Sequence, residues 1–126
     1  MNADGTHMDL VVERLERAAV VTVSGDVDEA SVHLLREAFD ELVADGQHRF
    51  VIDLAGVAFM DSSGLAALVQ LFKRVRIGEG DVRICALQPA VLRVFELVRL
   101  TRVFELFDTA EEACASYSDI TMRATS

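Results

Sequence analysis

Basic residues, cysteines and long apolar runs are all scarce in this chain, and each scarcity excludes a class of protein. The 126 residues contain 12 Lys and Arg against 21 Asp and Glu, which gives a formal net charge of −9. Nonspecific binding to nucleic acid requires basic side chains that neutralise phosphates, so we expect no nucleic-acid partner. The acidity also disfavours anionic membrane surfaces and favours a partner that presents a basic patch.

The two cysteines do not form a metal-binding pattern. Cys85 lies in a strand-like run and Cys114 in a helix-like run, without CxxC spacing or a neighbouring histidine cluster. We expect two small buried hydrophobes, and no metal or other cofactor. The polar start, Met1 to His7, lacks the apolar core of a signal peptide, and the apolar runs are shorter than the ~20 residues of a membrane span. The sequence therefore predicts a cytoplasmic protein without a membrane partner.

Alternating strand and helix patterns predict one α/β domain. The predicted strands are residues 8–15, 18–24, 49–54, 82–87 and, at an edge, 101–107. The predicted helices begin near residues 30, 63, 89 and 109. The first two strands read as a hairpin, so we expect an α/β sandwich with a mixed sheet, an N-terminal β-hairpin and about four helices.

Turn residues set the expected boundaries. Ser24-Gly25-Asp26 is predicted to end the second strand, and residues 55–61 are predicted to form a loop after the central strand. The domain is predicted to span residues 8–120, with a flexible tail at 1–7 and a frayed end at 121–126.

The most informative segment is Phe59-Met60-Asp61-Ser62-Ser63-Gly64-Leu65, which joins a buried strand to an amphipathic helix. In one interpretation Asp61, Ser62 or Ser63 caps the helix by accepting a hydrogen bond from a free backbone N–H. In a second, a serine acts as a nucleophile, which requires a histidine base and an oxyanion site. The positions of the three histidines and the lack of a GxSxG pattern disfavour hydrolase chemistry, so we expect no enzyme.

The third interpretation is phosphorylation. A phosphoserine carries about −1.5 to −2 charge at neutral pH, and at a helix N-terminus this charge meets unpaired N–H groups. The fold should tolerate the group, whereas a docked partner would meet a concentrated negative patch beside Asp61. Judged by the helix-start signal alone, capping is the more common reason for such residues.

Three segments resemble the STAS domain of anti-sigma factor antagonists. They are SGDVD at residues 24–28, VAFMDSSGL at 57–65 and CALQPAV at 85–91. In that family the first serine after the aspartate is the phosphate acceptor, so the resemblance implies phosphorylation of Ser62. It also implies partner switching: the unmodified antagonist binds an anti-sigma factor, a serine kinase of the histidine-kinase-like ATPase fold, and frees a sigma factor. Phosphorylation releases the antagonist, and a 2C-type protein phosphatase resets it.

The resemblance implies a partner-binding surface around the acceptor. Its expected members are Asp26, Asp28, Asp61, Ser62, Ser63 and Gly64. Ordinary turn and capping chemistry explains Asp26 and Asp28 at least as well. Asp61 is expected both to cap the helix and to orient the Ser62 hydroxyl, and Ser63 fits a cap better than a second acceptor.

Several alternatives stay open. Gly64 either lets a partner approach the backbone closely or is only a tolerated small residue. Ala66 and Arg99 stand at or near positions where relatives often carry glycine, which leaves the loop geometry near residue 100 open. The second helix and the switch segment suit either a weak homodimer or a contact with another protein. A scaffold whose serine only caps a helix, and a small-ligand module, are the rival functions.

Overall fold

The chain folds into a five-stranded sheet with four α-helices, as a computed structural model describes for residues 8–125, with side chains as far as Tyr117. The strands are β1 (Asp9–Arg14), β2 (Ala19–Val27), β3 (Arg49–Met60), β4 (Asp81–Cys85) and β5 (Glu105–Phe107). The helices are α1 (Val32–Ala44), α2 (Ser62–Ile77), α3 (Pro89–Leu97) and α4 (Ala110–Thr125), with a 3₁₀ turn at Leu100–Arg102. The predicted tail at 1–7 and frayed end at 121–126 lie outside the residues whose side chains are described, and both stay predictions.

The sheet is mixed, and its strand order follows the chain from β1 to β5. β1 and β2 are antiparallel, which confirms the predicted hairpin. β2 to β5 are parallel neighbours, and each connection between them contains a helix because a tight turn cannot join parallel strands. The C-terminal ends of β2, β3 and β4 therefore lie at one end of the sheet, named here the switch end. The start of β5 and the 3₁₀ turn before it lie at the opposite, distal end.

The main core lies between the sheet and helices α1, α2 and α3. Leu35, Leu68 and Phe95 from these helices pack against Val21 and Ile52 of the sheet, and all five are fully buried. Alternate residues of each strand point to this face because the side-chain period of a strand is two. Each such side chain contributes about 1.5–3 kcal/mol by leaving water, so this face supplies most of the stabilisation that holds the switch end in place.

Helix α4 covers the other face of the sheet. Ala113 and Tyr117 pack there against Val51 in a smaller buried cluster. The Tyr117 hydroxyl lies 3.0 Å from the Phe50 carbonyl and 2.8 Å from the Asp81 carbonyl, and burial raises its pKa. This aromatic residue therefore anchors α4 to two neighbouring strands.

Both inner strands are longer than predicted. β2 continues through Ser24-Gly25-Asp26 to Val27, and β3 continues through the predicted loop to Met60. The register between them shifts twice after Thr22, so bulges absorb the irregular residues and pairing resumes. A Cβ at position 56 would lie 2.8 Å from the Ser24 Cβ, which explains the glycine there. The predicted strand break at Ser24–Asp26 was wrong. The predicted loop at 55–61 was also wrong for residues 55–60, which belong to β3, and only Asp61 lies outside the strand.

Other boundaries differ less. The predicted strand at 101–107 is the 3₁₀ turn followed by a three-residue β5. α2 begins at Ser62, one residue before its predicted start. Cys85 is buried as predicted, whereas Cys114 is only partly buried. Across residues 8–125, no helix is both long enough and apolar enough to cross a membrane.

Candidate functional site

The end of β2 is tied directly to the start of α2 at the switch end. The Asp61 N–H donates to the Val27 carbonyl at 3.0 Å. In the β2–β3 register Asp26 is opposite Phe59 and Val27 is opposite Met60. Because these pairs end two neighbouring parallel strands, the segment that precedes α1 lies beside the segment that precedes α2. The structure thus brings together the two groups of predicted site residues.

Asp61 is the N-cap of α2, which confirms its predicted capping role. Its backbone is extended, with φ −95° and ψ −173°, as an N-cap residue requires. One carboxylate oxygen, Oδ1, accepts from the N–H groups of Ser63 at 2.9 Å and Gly64 at 3.4 Å, and from the Ser63 hydroxyl at 2.5 Å. The hydroxyl bond is the main reason that the pKa of Asp61 is lowered, with help from backbone N–H groups and against partial desolvation. The carboxylate therefore stays ionised.

Ser62 and Ser63 differ in what their hydroxyls contact. Ser62 is the first residue of α2 and is exposed, and its hydroxyl makes no hydrogen bond within residues 8–117. Ser63 is half-buried, and its hydroxyl donates to Asp61. The prediction that Asp61 orients the Ser62 hydroxyl was therefore wrong, because that carboxylate holds Ser63. The prediction that Ser63 caps the helix was also wrong, because the backbone N–H groups are accepted by Asp61.

Gly64 is required by packing inside the protein. A Cβ at this position would lie 2.7 Å from the Val27 Cγ1 and 2.7 Å from the Met60 Cγ. Both neighbours are buried core residues, so they have little room to move. The glycine lets the first turn of α2 approach the ends of β2 and β3. Its contact with a partner stays a prediction.

The two predicted aspartates of the β2–α1 connection have different roles. Oδ1 of Asp28 accepts from the N–H groups of Ala30 at 3.0 Å and Ser31 at 3.1 Å, which confirms the turn interpretation for this residue. The Ser31 hydroxyl donates to the Asp26 carbonyl at 2.9 Å and fixes the turn further. The half-buried Asp26 carboxylate makes no hydrogen bond or ion pair within residues 8–117. Asp26 is therefore the better placed of the two to meet a partner.

Phe59 is a surface residue that sequence reasoning did not single out. Its side chain is 50 % exposed, although it lies in β3 and its neighbour Met60 is buried. Because Phe59 is opposite Asp26, an apolar ring and a carboxylate stand side by side next to the start of α2. Exposed aromatic residues often anchor protein interfaces. The sequence did not predict an exposed strand residue here, because residue 59 was assigned to a loop. The exposure of a strand residue also depends on its neighbours in space.

The switch end combines an exposed hydroxyl with an acidic surround. Ser62 begins a helix whose cap is an ionised aspartate, and the backbone N–H of Glu29 also approaches that carboxylate. Within residues 8–117 no group of three His, Cys, Asp or Glu side chains is arranged to hold a metal ion. Such a surface suits a cationic partner, and a charge added to the hydroxyl would change its potential directly.

Comparisons with known proteins agree with this geometry. Residues 9–113 match the family model of the STAS domain. The chain is 33 % identical over 96 residues to the anti-sigma-F factor antagonist RsfB of Mycobacterium tuberculosis, a match that covers 75 % of this chain and 77 % of the relative. It is 25 % identical over 108 residues to the anti-sigma F factor antagonist of Paenibacillus polymyxa, with 85 % and 92 % covered.

Solved structures give the same result. The crystal structure of an anti-sigma factor antagonist from Mycobacterium paratuberculosis superposes with a TM-score of 0.81 at 31 % identity, covering 88 % of this chain and 94 % of that one. SpoIIAA in its unphosphorylated form superposes with a TM-score of 0.75 at 22 % identity, which compares the fold alone. These matches confirm the predicted STAS-type α/β fold. The relatives are named as antagonists, in agreement with the expectation of a regulatory protein that is not an enzyme.

Proposed function

The chain belongs to the STAS domain family, and from this we propose that it is an anti-sigma factor antagonist switched off by phosphorylation of Ser62. A relative of 33 % identity named as an anti-sigma-F factor antagonist supports the general function. The surface predicted to bind the partner comprises Asp26, Asp28, Asp61, Ser62, Ser63 and Gly64. Ser62 is exposed, Gly64 is buried, and the other four are half-buried. We add Phe59 to this surface because of its exposure.

One observation carries the choice of acceptor. A kinase must reach the hydroxyl and take its proton, so a hydroxyl that is exposed and unbonded is the better substrate. Ser62 meets both conditions within the described chain, whereas the Ser63 hydroxyl is held by Asp61 at 2.5 Å. Phosphorylation of Ser63 would break that bond and weaken the cap of α2. The local structure therefore favours Ser62 over Ser63.

The effect of a phosphate follows from its position. At the first residue of α2 the group meets the positive end of the helix dipole, so the fold keeps its stability. A docked partner would instead have to accommodate up to two further negative charges beside the ionised Asp61. If repulsion and desolvation cost about 3 kcal/mol at the interface, affinity falls roughly a hundredfold. That is enough to separate a bound from a free state.

The partners belong to the proposal as the family resemblance gives them. We propose a cytoplasmic cycle in which the unmodified chain binds an anti-sigma factor that is also its serine kinase. A 2C-type phosphatase removes the phosphate. Nucleotide and metal ions would act in those two partners. The acidic switch end suits a kinase surface that presents Lys or Arg side chains.

Phosphorylation by the cognate kinase with labelled ATP tests the acceptor. Wild type and Ser63→Ala should take up label, and Ser62→Ala should take up none. Ser63→Ala is the matched control, since it removes a neighbouring hydroxyl of the same helix turn. Undiminished label on Ser62→Ala, or a phosphate mapped to Ser63 alone, would refute the site.

Kinase affinity tests the electrostatic mechanism. Titration calorimetry should show Ser62→Asp binding at least about tenfold more weakly than wild type, with Ser62→Asn changed far less. Asn has nearly the shape of Asp without the charge, so the difference between the two variants isolates the electrostatic contribution. Equal affinity of Ser62→Asp and wild type would contradict the mechanism, although one aspartate carries less charge than a phosphate.

The two rival functions make different predictions. A scaffold whose Ser62 only begins a helix would never carry a phosphate, so intact mass of protein from its native cells distinguishes it. A small-ligand module needs a lined cavity. The groove of about 310 Å³ between α3 and β5 is lined mainly by apolar residues, with Asp108 as its charged side chain. A groove of about 330 Å³ between α1 and α2 has basic side chains, but Arg74 there pairs with Asp40 at 2.6 Å and Arg36 donates to Gln70. Within residues 8–117 neither groove has a loop whose backbone N–H groups would surround a phosphate, so titration with GTP and ATP should show no tight binding.

A further inference from the structure

A second exposed surface lies at the distal end of the sheet, where α3 leads into β5. It consists of residues 97–103 and is named here the distal patch. Leu97 is 75 % exposed, Val98 51 % and Val103 40 %, while Leu100 between them packs against the main core. Large apolar side chains placed together on a surface mark an interaction site more often than single ones do.

The distal patch is locally cationic in an acidic chain. Arg99 and Arg102 are both exposed, and within residues 8–117 neither guanidinium makes a hydrogen bond or an ion pair. Of the two glutamates that flank the patch, Glu105 lies 3.7 Å from Arg83 and is partly neutralised, and Glu96 is exposed. The formal charge of the whole chain is −9, so a surface with two unpaired cations and apolar neighbours is an exception to its composition.

Helix α2 has a cation, Arg76, that is connected through two aromatic rings to the residue after the patch. The Arg76 guanidinium lies 5.7 Å from the centre of the Phe72 ring, and that ring contacts Phe104 with centroids 5.4 Å apart. Phe104 directly follows the patch in the chain. The Arg76 guanidinium also donates to the Gly80 carbonyl at 3.4 Å, so Arg99 and Arg102 are the unpaired cations on which the proposal depends.

Arg99 directly follows the C-cap of α3 and ends that helix in a left-handed conformation. Its φ of 65° and ψ of 26° are left-handed, a conformation in which glycine has no steric penalty and a longer side chain does. An arginine at this position costs stability that glycine would not. Helices commonly end on a left-handed residue, and Glu79 after α2 and Ala86 after β4 have positive φ as well. The Arg99 side chain is exposed and makes no ion pair in residues 8–117. No contact of this side chain in that part of the fold therefore offsets the steric cost of the left-handed backbone.

The distal patch and Ser62 lie at opposite ends of the sheet. Ser62 follows the end of β3, whereas the patch precedes β5, whose first residue is aligned with Arg83 and so with Val51 near the start of β3. A protein bound at one end would leave the other exposed. The two ends also differ in sign, since the switch end is acidic and the patch is basic.

We propose that the distal patch docks a second protein partner, whose surface presents acidic side chains around an apolar centre, whether or not Ser62 is phosphorylated. Arg99 and Arg102 would pair with the acidic side chains, and Leu97, Val98 and Val103 would fill the apolar centre. Charge complementarity distinguishes this acidic partner from the kinase, whose surface at the switch end is expected to be basic. The proposal goes beyond the antagonist function, which uses the other end of the molecule.

A pair of synthetic peptides tests the surface. One is an amphipathic helix of about 18 residues with Glu around a Leu face, and the other carries Lys in place of each Glu. In a ¹⁵N amide titration of the full chain, the Glu peptide should saturate and shift residues 97–103, and the Lys peptide should not. Raising NaCl from about 50 to about 500 mM should weaken the binding.

Four variants make the test specific. Arg99→Gly removes the cation and relieves the strained backbone, so lost binding cannot be attributed to unfolding. It and Arg102→Glu should each weaken the Glu peptide about tenfold. Arg17→Glu reverses an exposed arginine in the β1–β2 turn at the opposite edge of the sheet, and Ser62→Asp alters only the switch end. Both should stay within about twofold of wild type.

Several outcomes would overturn the proposal. They are a titration without saturation, shifts centred on the switch end, equal binding of the two peptides, and much weaker binding of the Glu peptide by Ser62→Asp than by wild type. Binding to phosphatidylglycerol vesicles that Arg102→Glu abolishes would assign the patch to a membrane. Self-association in sedimentation that the same variant abolishes would assign it to a second copy. Because no kinase is used, failure here leaves the antagonist proposal intact, and the reverse also holds.

Discussion

Asp61 accepts the Ser63 hydroxyl at 2.5 Å, so the aspartate that follows β3 holds the second serine of the pair and leaves the first exposed. The same oxygen accepts two backbone N–H groups and starts α2. One carboxylate thus fixes the helix start and distinguishes two chemically identical hydroxyls. Any change to Asp61 should therefore alter the stability of the helix and the choice of acceptor together.

The stability of the switch end should depend on pH through Asp61. Its folded pKa is lowered, chiefly by the Ser63 hydroxyl bond, so the folded protein binds the proton less readily than the unfolded chain. The contribution of the ionised cap is complete above the unfolded pKa, near 4, and is lost as pH falls through the lower folded value. Asp61→Asn keeps a capping oxygen but cannot ionise.

Urea unfolding of wild type and Asp61→Asn between about pH 3 and about pH 7 measures this effect. The difference in unfolding free energy should be largest near neutral pH and shrink toward pH 3. Asp61→Ala should lose about 1 kcal/mol at neutral pH, the usual cost of removing an N-cap. A difference between wild type and Asp61→Asn that stays constant over this range would contradict the lowered pKa.

Gly64→Ala should destabilise the protein by about 1–3 kcal/mol because of steric overlap. The added Cβ would lie 2.7 Å from both the Val27 Cγ1 and the Met60 Cγ. Val27→Ala makes room, so the double variant should lose less than the sum of the two single losses. Ala66→Gly, two residues along at an exposed position, is the control and should lose about 0.5–1 kcal/mol from propensity alone. Urea unfolding measures all four variants, and strictly additive losses for Gly64→Ala and Val27→Ala would exclude the overlap.

The sequence predicted the hairpin, the order of strands and helices, and the segment that forms the switch end, because hydrophobic period and turn residues act locally. It did not predict the continuation of β2 and β3, since Gly25 and Gly56 resemble strand breakers until the paired bulges that use them are seen. Propensity also left the cap undecided among Asp61, Ser62 and Ser63. Only the extended backbone of Asp61 and the positions of the N–H groups decide it.

The distal patch could not be predicted for a different reason. The apolar residues of 101–107 are compatible with a strand, and an edge strand was predicted there. The chain instead turns through the left-handed Arg99, which exposes the apolar residues on either side of it. Exposure of this kind is decided by tertiary structure, and no local pattern reports it.

Arg99→Gly should stabilise the protein by about 0.4–1 kcal/mol at neutral pH. The native φ of 65° is free of steric cost for glycine, although glycine also gains entropy in the unfolded chain and reduces the benefit. Arg93→Gly, at an exposed position inside α3, is the matched control and should lose about 1 kcal/mol. The two variants make the same chemical change, so opposite signs in urea unfolding isolate the backbone effect. A loss of stability in both would show that the left-handed arginine is not strained.

Cys85 should react with a thiol reagent far more slowly than Cys114, although both belong to the cluster under α4. Burial is the main reason that the pKa of Cys85 is raised to about 12, so at about pH 8 only about one thiol in ten thousand is ionised. Burial raises the pKa of Cys114 as well, but its side chain is only partly buried. In a disulfide-exchange assay of Cys85→Ala, the remaining thiol of Cys114 should react directly in the folded protein, without any opening of the structure. In Cys114→Ala, the thiol of Cys85 should react only as fast as α4 detaches from the sheet. Urea below the unfolding midpoint should accelerate this reaction. Equal rates for the two variants in the absence of urea would show that α4 does not seal this face of the sheet.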